Sequence, residues 1–402
     1  MWTLEVPNRR NRSEHILVIL GVLTVFAILV GTTILGIVEN WPHHQRIATP
    51  NALKQPKTYT ATVVDLRAVR CQAPGAQNCS VATVKLGSGP DKGHETKIRF
   101  GDTGTTVQVG LGDKVLVYRN PLPPGATIGG VAAPRYAFSD FQRHGPLIWL
   151  AVIFGAIVIV AGRVAGVRAL AGLVASLATV VFFIVPAIST GRPPLQVAGF
   201  GALGIMLLTI PLVHGGGAKS VAACIGTAFA LLITLGLADA FTSLAHLSGL
   251  TTDQAVYLQS ATHVSIRGLL LAGMVIGSLG VLADTTVTQA STVMALKRAN
   301  PSLGWRDLVG HATSVGRDHI AATVNTLVLA YTGAALPLLV IFSLAGTSFG
   351  SAVNSESVAG PIVATLVGSI GLIAAVPATT ALAALLALHL SDRKLEAGAH
   401  AH

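Results

Sequence analysis

Charge is scarce in this chain. Only 11% of its 402 residues are Asp, Glu, Lys or Arg, while 51% are hydrophobic. That is about half the charged fraction of an ordinary soluble domain, so a purely soluble protein is excluded and a multi-pass membrane protein is expected. Acids are scarcer than bases, 17 against 27, which leaves a net charge of +10. The basic residues are scattered over short loops and termini, so they read as membrane topology and not as a nucleic-acid footprint. Cysteine is rare, at three residues. Cys224 stands alone in an apolar run and reads as packing, while Cys71 and Cys79 bracket the short polar loop "CQAPGAQNC".

Long apolar runs are what the chain has instead. The first, 16–38, is too long for a signal-peptide core and lacks a clean small-x-small site after it, so it is expected to stay as an anchor. Further spans are expected at 146–162, 168–188, 195–213, 219–243, 267–287, 320–344 and 361–388, about eight in all, each near the ~20 residues a bilayer requires. Arg9, Arg10 and Arg12 before the first span set the N-terminus in the cytoplasm. The segments then assigned to that side, 163–168, 214–219, 288–319 and the tail 391–402, carry Arg163, Arg168, Lys219, Lys297, Arg298, Arg306, Arg317, Arg393 and Lys394. The segments on the other side, 189–194, 244–266 and 345–360, hold only Arg192, with Arg267 at an edge.

Residues 39–145 differ in composition. Alternating stretches such as "TYTATVVDLRAV", "SVATVKL", "HETKIRF", "TVQVGLGDKVLVYR" and "RYAFSDF" are separated by Gly/Asp turns. They predict a small extracytoplasmic β domain, an OB-like barrel by preference, inserted after the first helix. "PNALKQP" and "NPLPPGA" read as linkers. Outside the cytoplasm Cys71 and Cys79 are placed to bridge, although two cysteines alone do not decide it. No metal spacing or catalytic triad stands out there, and an accessory or partner-binding module is the plain expectation.

The apolar half, 146–390, carries one conspicuous polar stretch, "GVLADTTVTQAS". An acid at membrane depth is costly and generally faces a cavity or a partner. Asp284, Thr288 and Ser291 share a helix face by i, i+4 and i, i+7 spacing, with Gln289 beside them. This marks a candidate cation or proton site. The plain alternative makes Asp284 a boundary residue at the cytoplasmic interface, paired with Lys297 or Arg298. Asp239 lies near the outer end of its span and reads as interfacial. In the next polar cluster, Arg317 and Asp318 read as an interfacial positioning pair ahead of a span holding Asn325 and, deeper, Tyr331. A buried amide needs a partner, so Asn325 is either interhelical glue or part of a site with Asp284. "HGGGAKS" lacks the spacing of a phosphate loop, and the terminal "GAHAH" carries little weight.

"SIRGLLLAGMVIGSLGVLADTTVTQAS" followed by "VGRDHIAATVNTLVLAYTGAALPLLVIF" resembles the core of the YibE/F-like family of bacterial membrane proteins, most specifically at "NTLVLAY". "GVRALAGLVASLATVVFFIVPAISTGRPP" and "LTTDQAVYLQ" extend the resemblance over about 145–390. The basic start and the Ala/Val/Gly-rich spans are similar to an actinobacterial member. The resemblance implies the membrane fold and no defined reaction. In place of the family's Ser-Ile-Ala-Ser after the aspartate, this chain has "TTVTQAST", a more polar stripe.

Three functions are expected in descending order: a transporter or channel for a small ion or solute; an envelope scaffold whose outer β domain binds a partner protein; and an intramembrane enzyme, disfavoured because Asp284 has no second acid on its own side. No cofactor or metal is implied, the bilayer is the one necessary partner, and an oligomer is left open. Arg-led segments at 167–183 and 266–282 hint at an inverted repeat.

Overall fold

The computed structural model describes residues 9–42, 56–71, 78–100, 107–120, 127–128, 131–132 and 134–389. By contacts the chain divides into two units, Met1–Ala48 with Val158–His402, and Thr49–Ile157. The linkers expected at 50–56 and 120–126 fall almost wholly outside the described residues, as does the tail 391–402 with its histidines.

The second unit contains a curled antiparallel sheet. Its strands are β1 (Thr58–Ala68), β2 (Ser80–Leu86), β3 (Glu95–Phe100), β4 (Lys114–Arg119) and β7 (Tyr136–Phe141), in the order β3-β2-β1-β4-β7. A two-residue pair, β5 (Thr127–Ile128) with β6 (Val131–Ala132), stands apart. Period-two alternation sends Ala61, Val63, Ala82, Val84, Leu86, Ile98, Phe100, Val115 and Val117 to one face, where they form the core. A register shift between Val63 and Asp65 bends β1, as a bulge does. The curl brings the outer strands together: Phe100 of β3 meets Phe138 of β7 edge-on, centroids 5.2 Å apart. The stretch expected as one strand over 106–119 is interrupted at Gly110–Asp113, where Gly112 has φ +87° and the Asp113 carboxylate accepts from the Gly110 N–H at 2.7 Å. Cys71 and Cys79 are bonded, Cα to Cα 5.2 Å.

Among the described residues, seven helices are long and apolar enough to cross a membrane. They begin with α1 (Arg9–Glu39). The spans expected at 146–162 and 168–188 are continuous helical sequence: α2 (His144–Thr179), a π-helical turn Val180–Ile184 and α3 (Val185–Ser189). The loop expected at 163–168 is instead a break at one residue, Arg163, with φ 48° and ψ −124°. The backbone folds back so tightly there that a Cβ on Gly166 would strike the Val158 carbonyl. The 46 residues from His144 to Ser189 would extend about 69 Å as one straight helix, more than twice the hydrocarbon thickness of about 30 Å.

Five more elements complete the main bundle: α4 (Pro194–His214), α5 (Ala218–Leu244), α7 (Ile266–Ala299), α8 (Trp305–Leu344) and α10 (Glu356–His389), with short α6 (Asp253–Ala261) and α9 (Phe349–Asn354) between them. The helices outrun the apolar spans. α7 continues twelve residues past 287 and α8 begins fifteen before 320, because Lys, Arg and Gln are good helix formers and only the solvent changes at a membrane boundary. Lys219 at the start of α5 lies near Arg298 at the end of α7, and the Trp305 indole N–H donates to the Ala381 carbonyl late in α10 at 3.3 Å. This basic end holds Lys219, Lys297, Arg298 and Arg306. At the opposite end Asp239 pairs with Arg267 at 3.1 Å, and Glu356 accepts from the Ser248 hydroxyl at 2.8 Å.

Residues 266–282 lie in α7, which packs on α4, α5, α8 and α10, whereas the π turn and α3 after 167–179 pack on α4.

In the sheet, Tyr136 is only 1% exposed, and its hydroxyl donates to Asp91 at 2.6 Å. That bond, with Arg135 nearby, holds the Asp91 carboxyl below its ordinary range; burial, then the bond itself, raises the Tyr136 phenol. An acid lowered in the fold stabilises above its unfolded pKa and loses that contribution as pH falls through the folded one. Tyr136→Phe is therefore expected to lower, at pH 7, the urea concentration at which trypsin cuts within the strands. The gap between variant and wild type should close as pH drops below the ordinary carboxylate range.

Candidate functional site

The core of the main bundle is α5, α7 and α10, drawn close by small residues. A Cβ on Gly226 of α5 would overlap the Thr379 hydroxyl of α10, and one on Gly371 of α10 would overlap that of Thr234. A Cβ on Gly368 would lie 3.2 Å from the Ser278 hydroxyl of α7. Lipid tails are as apolar as Leu, so such close packing, and not hydrophobicity, holds helices together in a bilayer.

The stretch "ADTTVTQAS" divides between two faces of α7. Thr285, Thr286 and Gln289 are buried. The Thr286 and Thr227 oxygens are 2.6 Å apart. Each hydroxyl also reaches a carbonyl of its own helix, Thr227 that of Ala223 at 2.8 Å and Thr286 that of Ala283 at 3.1 Å, so either can be the donor between them. Gln289 donates to the Ala312 carbonyl of α8 at 2.7 Å, beside Gly316, where a Cβ would come within 2.9 Å of the amide oxygen. These three residues therefore lie between helices, and Gln289 serves helix packing.

Asp284 and Thr288 face outward, with Ser291 half-buried on the same side. Along the antiparallel pair joined by Thr227 and Thr286, Leu282 stands level with Leu231, the midpoint of α5. Asp284 lies two residues, about 3 Å, further on. The acid is therefore near the middle of both helices, because α7 runs on to Ala299. Its carboxylate lies 3.8 Å from His319 Nε2 on α8; the side chains are 71% and 31% exposed. That nitrogen is itself buried and makes no hydrogen bond.

Asn325 is exposed on α8, and no hydrogen bond joins it to Asp284 among the described residues; the expected meeting of the two is not made. The register explains the difference: His319 stands opposite Asp284, and Asn325 is nearly two turns further along. Arg317 and Asp318 are also exposed, flanking His319. Lys297 does not reach Asp284, its ammonium donating to the Pro301 and Leu303 carbonyls at 2.6 and 3.0 Å.

Tyr331 sits deeper, its hydroxyl 3.4 Å from where a Cβ on Gly277 would be. It marks a parting of helices. The first part of α8 is packed, with Leu308, Ala312 and Gly316 buried. Beyond it, two clefts lie on either side of Tyr331, one of about 350 Å³ against α7 and α10 and one of about 310 Å³ against α9 and α10. Glu356 on the rim of the first was missed by sequence reasoning, since it precedes the expected span; so was His319, which stands just ahead of the span expected at 320–344. The signal available for His319 was its place one residue after the Arg317–Asp318 pair, entering an apolar helix.

The close contacts bear directly on stability. Gly226→Val is expected to lower the thermal midpoint of the purified chain by an overpacking cost of about 1–3 kcal/mol. Gly273→Ala, where a Cβ meets nothing within 4 Å, should leave it unchanged.

No curated protein matches the chain, and no solved structure matches it. The sequence model of the YibE/F-like protein family matches residues 150–389, which takes in α4 to α10 and both polar clusters. The chain belongs to the YibE/F-like family.

Proposed function

We propose that this is an eight-pass cell-membrane transporter or channel for a small solute or ion, with Asp284 and His319 as its proton-binding pair. One observation carries this: an ionisable pair 3.8 Å apart on two helices, with the acid near the middle of α7. An acid and a histidine at that level are expensive unless they meet water, a proton or a substrate. A carboxylate and a neutral imidazole nitrogen are both acceptors, so the pair offers a proton a place to bind. Thr288 and Ser291 on the same face of α7 supply hydroxyls, and exposed Asn325 and Thr326 on α8 supply further polar groups.

The turn at Arg163 supports counting 144–189 as two passes. The clustering of Lys219, Lys297, Arg298 and Arg306 at one bundle end supports placing that end, and both termini, in the cytoplasm. Arg267 at the other end is already balanced by Asp239. The 39–145 region is then extracytoplasmic, where a Cys71–Cys79 bridge persists. Its strand order, with β1 shared between β2 and β4 and with β3 beside β7, supports an OB-like half-barrel serving as a partner-binding module. Single cysteines at Ser88 and Ser302, in a chain lacking the native three, test this topology. An impermeant thiol reagent applied outside should label the first and spare the second; labelling at Ser302 overturns the orientation.

A scaffold is the second reading, favoured by Thr285, Thr286 and Gln289 lying buried between helices and by the 71% exposure of the Asp284 side chain. Proton flux separates the two. In vesicles loaded with a pH dye and placed under an imposed membrane potential, the wild-type chain should carry protons. Asp284→Asn and His319→Ala should fall to the leak of empty vesicles with expression and thermal midpoint kept. Wild-type flux no greater than that leak would leave the scaffold reading in first place.

A further inference from the structure

Resting on the transport reading, we infer that the 350 Å³ cleft between α7, α8 and α10 is the extracytoplasmic vestibule for the transported substrate. Its chemistry selects a small organic ammonium ion with an apolar body. The volume is near the lower bound of small-molecule sites, about 300–1,000 Å³. One wall is apolar: Leu269, Leu270, Met274, Pro361 and Ala364. The polar groups stand at the two extremes, Glu356 with Thr251 and Ser357 at the bundle end and Tyr331 inside.

Glu356 gives the site its sign. Its carboxylate accepts from the Ser248 hydroxyl and the Gly249 N–H at 2.8 and 2.5 Å, which ties the loop before α6 to the start of α10. A carboxylate has about four acceptor positions, so two are left. Two other carboxylates of the bundle have a cation or a histidine beside them: Asp239 has Arg267 and Asp284 has His319. Glu356 is half-buried, and among the described residues no cation lies within ion-pair distance of it. A negative charge on the rim of an apolar cleft, with hydrogen-bonding capacity to spare, is the pattern that receives an ammonium head while the apolar wall receives its body. The Tyr331 ring inside adds an aromatic surface.

The cleft also leads somewhere. Gly273 on its wall, then Gly277, Gly280 and Asp284, occupy one exposed face of α7. A Cβ on Gly273 or Gly280 would meet nothing within 4 Å, and at Gly277 only the Tyr331 hydroxyl approaches. Tyr331 thus stands between the vestibule and the Asp284–His319 pair, where rotation of one ring opens or closes the way.

The experiment is calorimetric titration of the purified full chain with phenethylammonium and its neutral counterpart, phenethyl alcohol. Wild type should bind the cation at least about tenfold more tightly than the alcohol, a gap of the order of one charge-assisted contact. Glu356→Gln should erase that preference. Gly273→Leu, which projects into the cleft from a position where a Cβ meets nothing within 4 Å, should abolish binding of both, and it decides the matter if the Glu356 variant fails to fold. Absence of binding to wild type, or equal binding by the Gly273→Leu variant, overturns the vestibule. Proton flux in vesicles under those outcomes would leave the transport reading standing, whereas binding without any flux would remove transport and leave a ligand site.

Discussion

Much of the main bundle depends on hydroxyl side chains of one helix nesting against glycines of another. The Thr379 oxygen occupies space beside Gly226 that a methyl group would fill, and Thr234 does the same at Gly371. In water such contacts would be one contribution among many. Between apolar solvent and apolar side chains there is little else to distinguish packed from unpacked helices except dispersion at close range and a few hydrogen bonds. That constraint dictates the composition of α5, α7 and α10, where large side chains such as Leu231, Leu282 and Leu372 alternate with Gly, Ala, Ser and Thr.

The same constraint sorts the polar residues. Once α7 is committed on one side to α5 and α10, Thr285, Thr286 and Gln289 face protein and are spent on packing. The opposite side, Gly273, Gly277, Gly280, Asp284 and Thr288, is left open. α8 is buried at its first part, through Leu308, Ala312 and Gly316, packs on less fully through Ile320 and Val324, and diverges beyond. The candidate pair and both clefts lie along that divergence. The tight part of the bundle and its chemically interesting part are therefore two faces of one helix.

The strand domain works by the ordinary rules of water. Alternation buries one face of each strand, and the one fully buried polar ring, Tyr136, is satisfied by Asp91 at its rim. Four of the five stretches picked out by alternation match strands to within a residue or so at each end, because period two is a local signal that burial on one face enforces. The fifth failed at Gly110–Asp113, where a turn interrupts an apparently continuous pattern.

What the sequence determined by itself was the inventory and its local periodicities: the apolar runs, the basic bias of their flanks, the strand alternation, the family to which 150–389 belongs, and Asp284 as the acid to watch. Helix ends were poorly legible, since apolarity marks where lipid would begin while the backbone stays helical on through Lys, Arg and Gln. What only the tertiary structure decided was which residues meet. His319 and not Asn325 stands opposite Asp284, Gln289 turns to the Ala312 carbonyl, and Glu356 comes to the rim of a cleft with Tyr331. Such pairings are set by the register between antiparallel helices, and a one-residue change in that register turns a side chain by about 100°. Register arises from how glycines and hydroxyls interlock across three helices at once, a property of the assembled surfaces that no single segment carries.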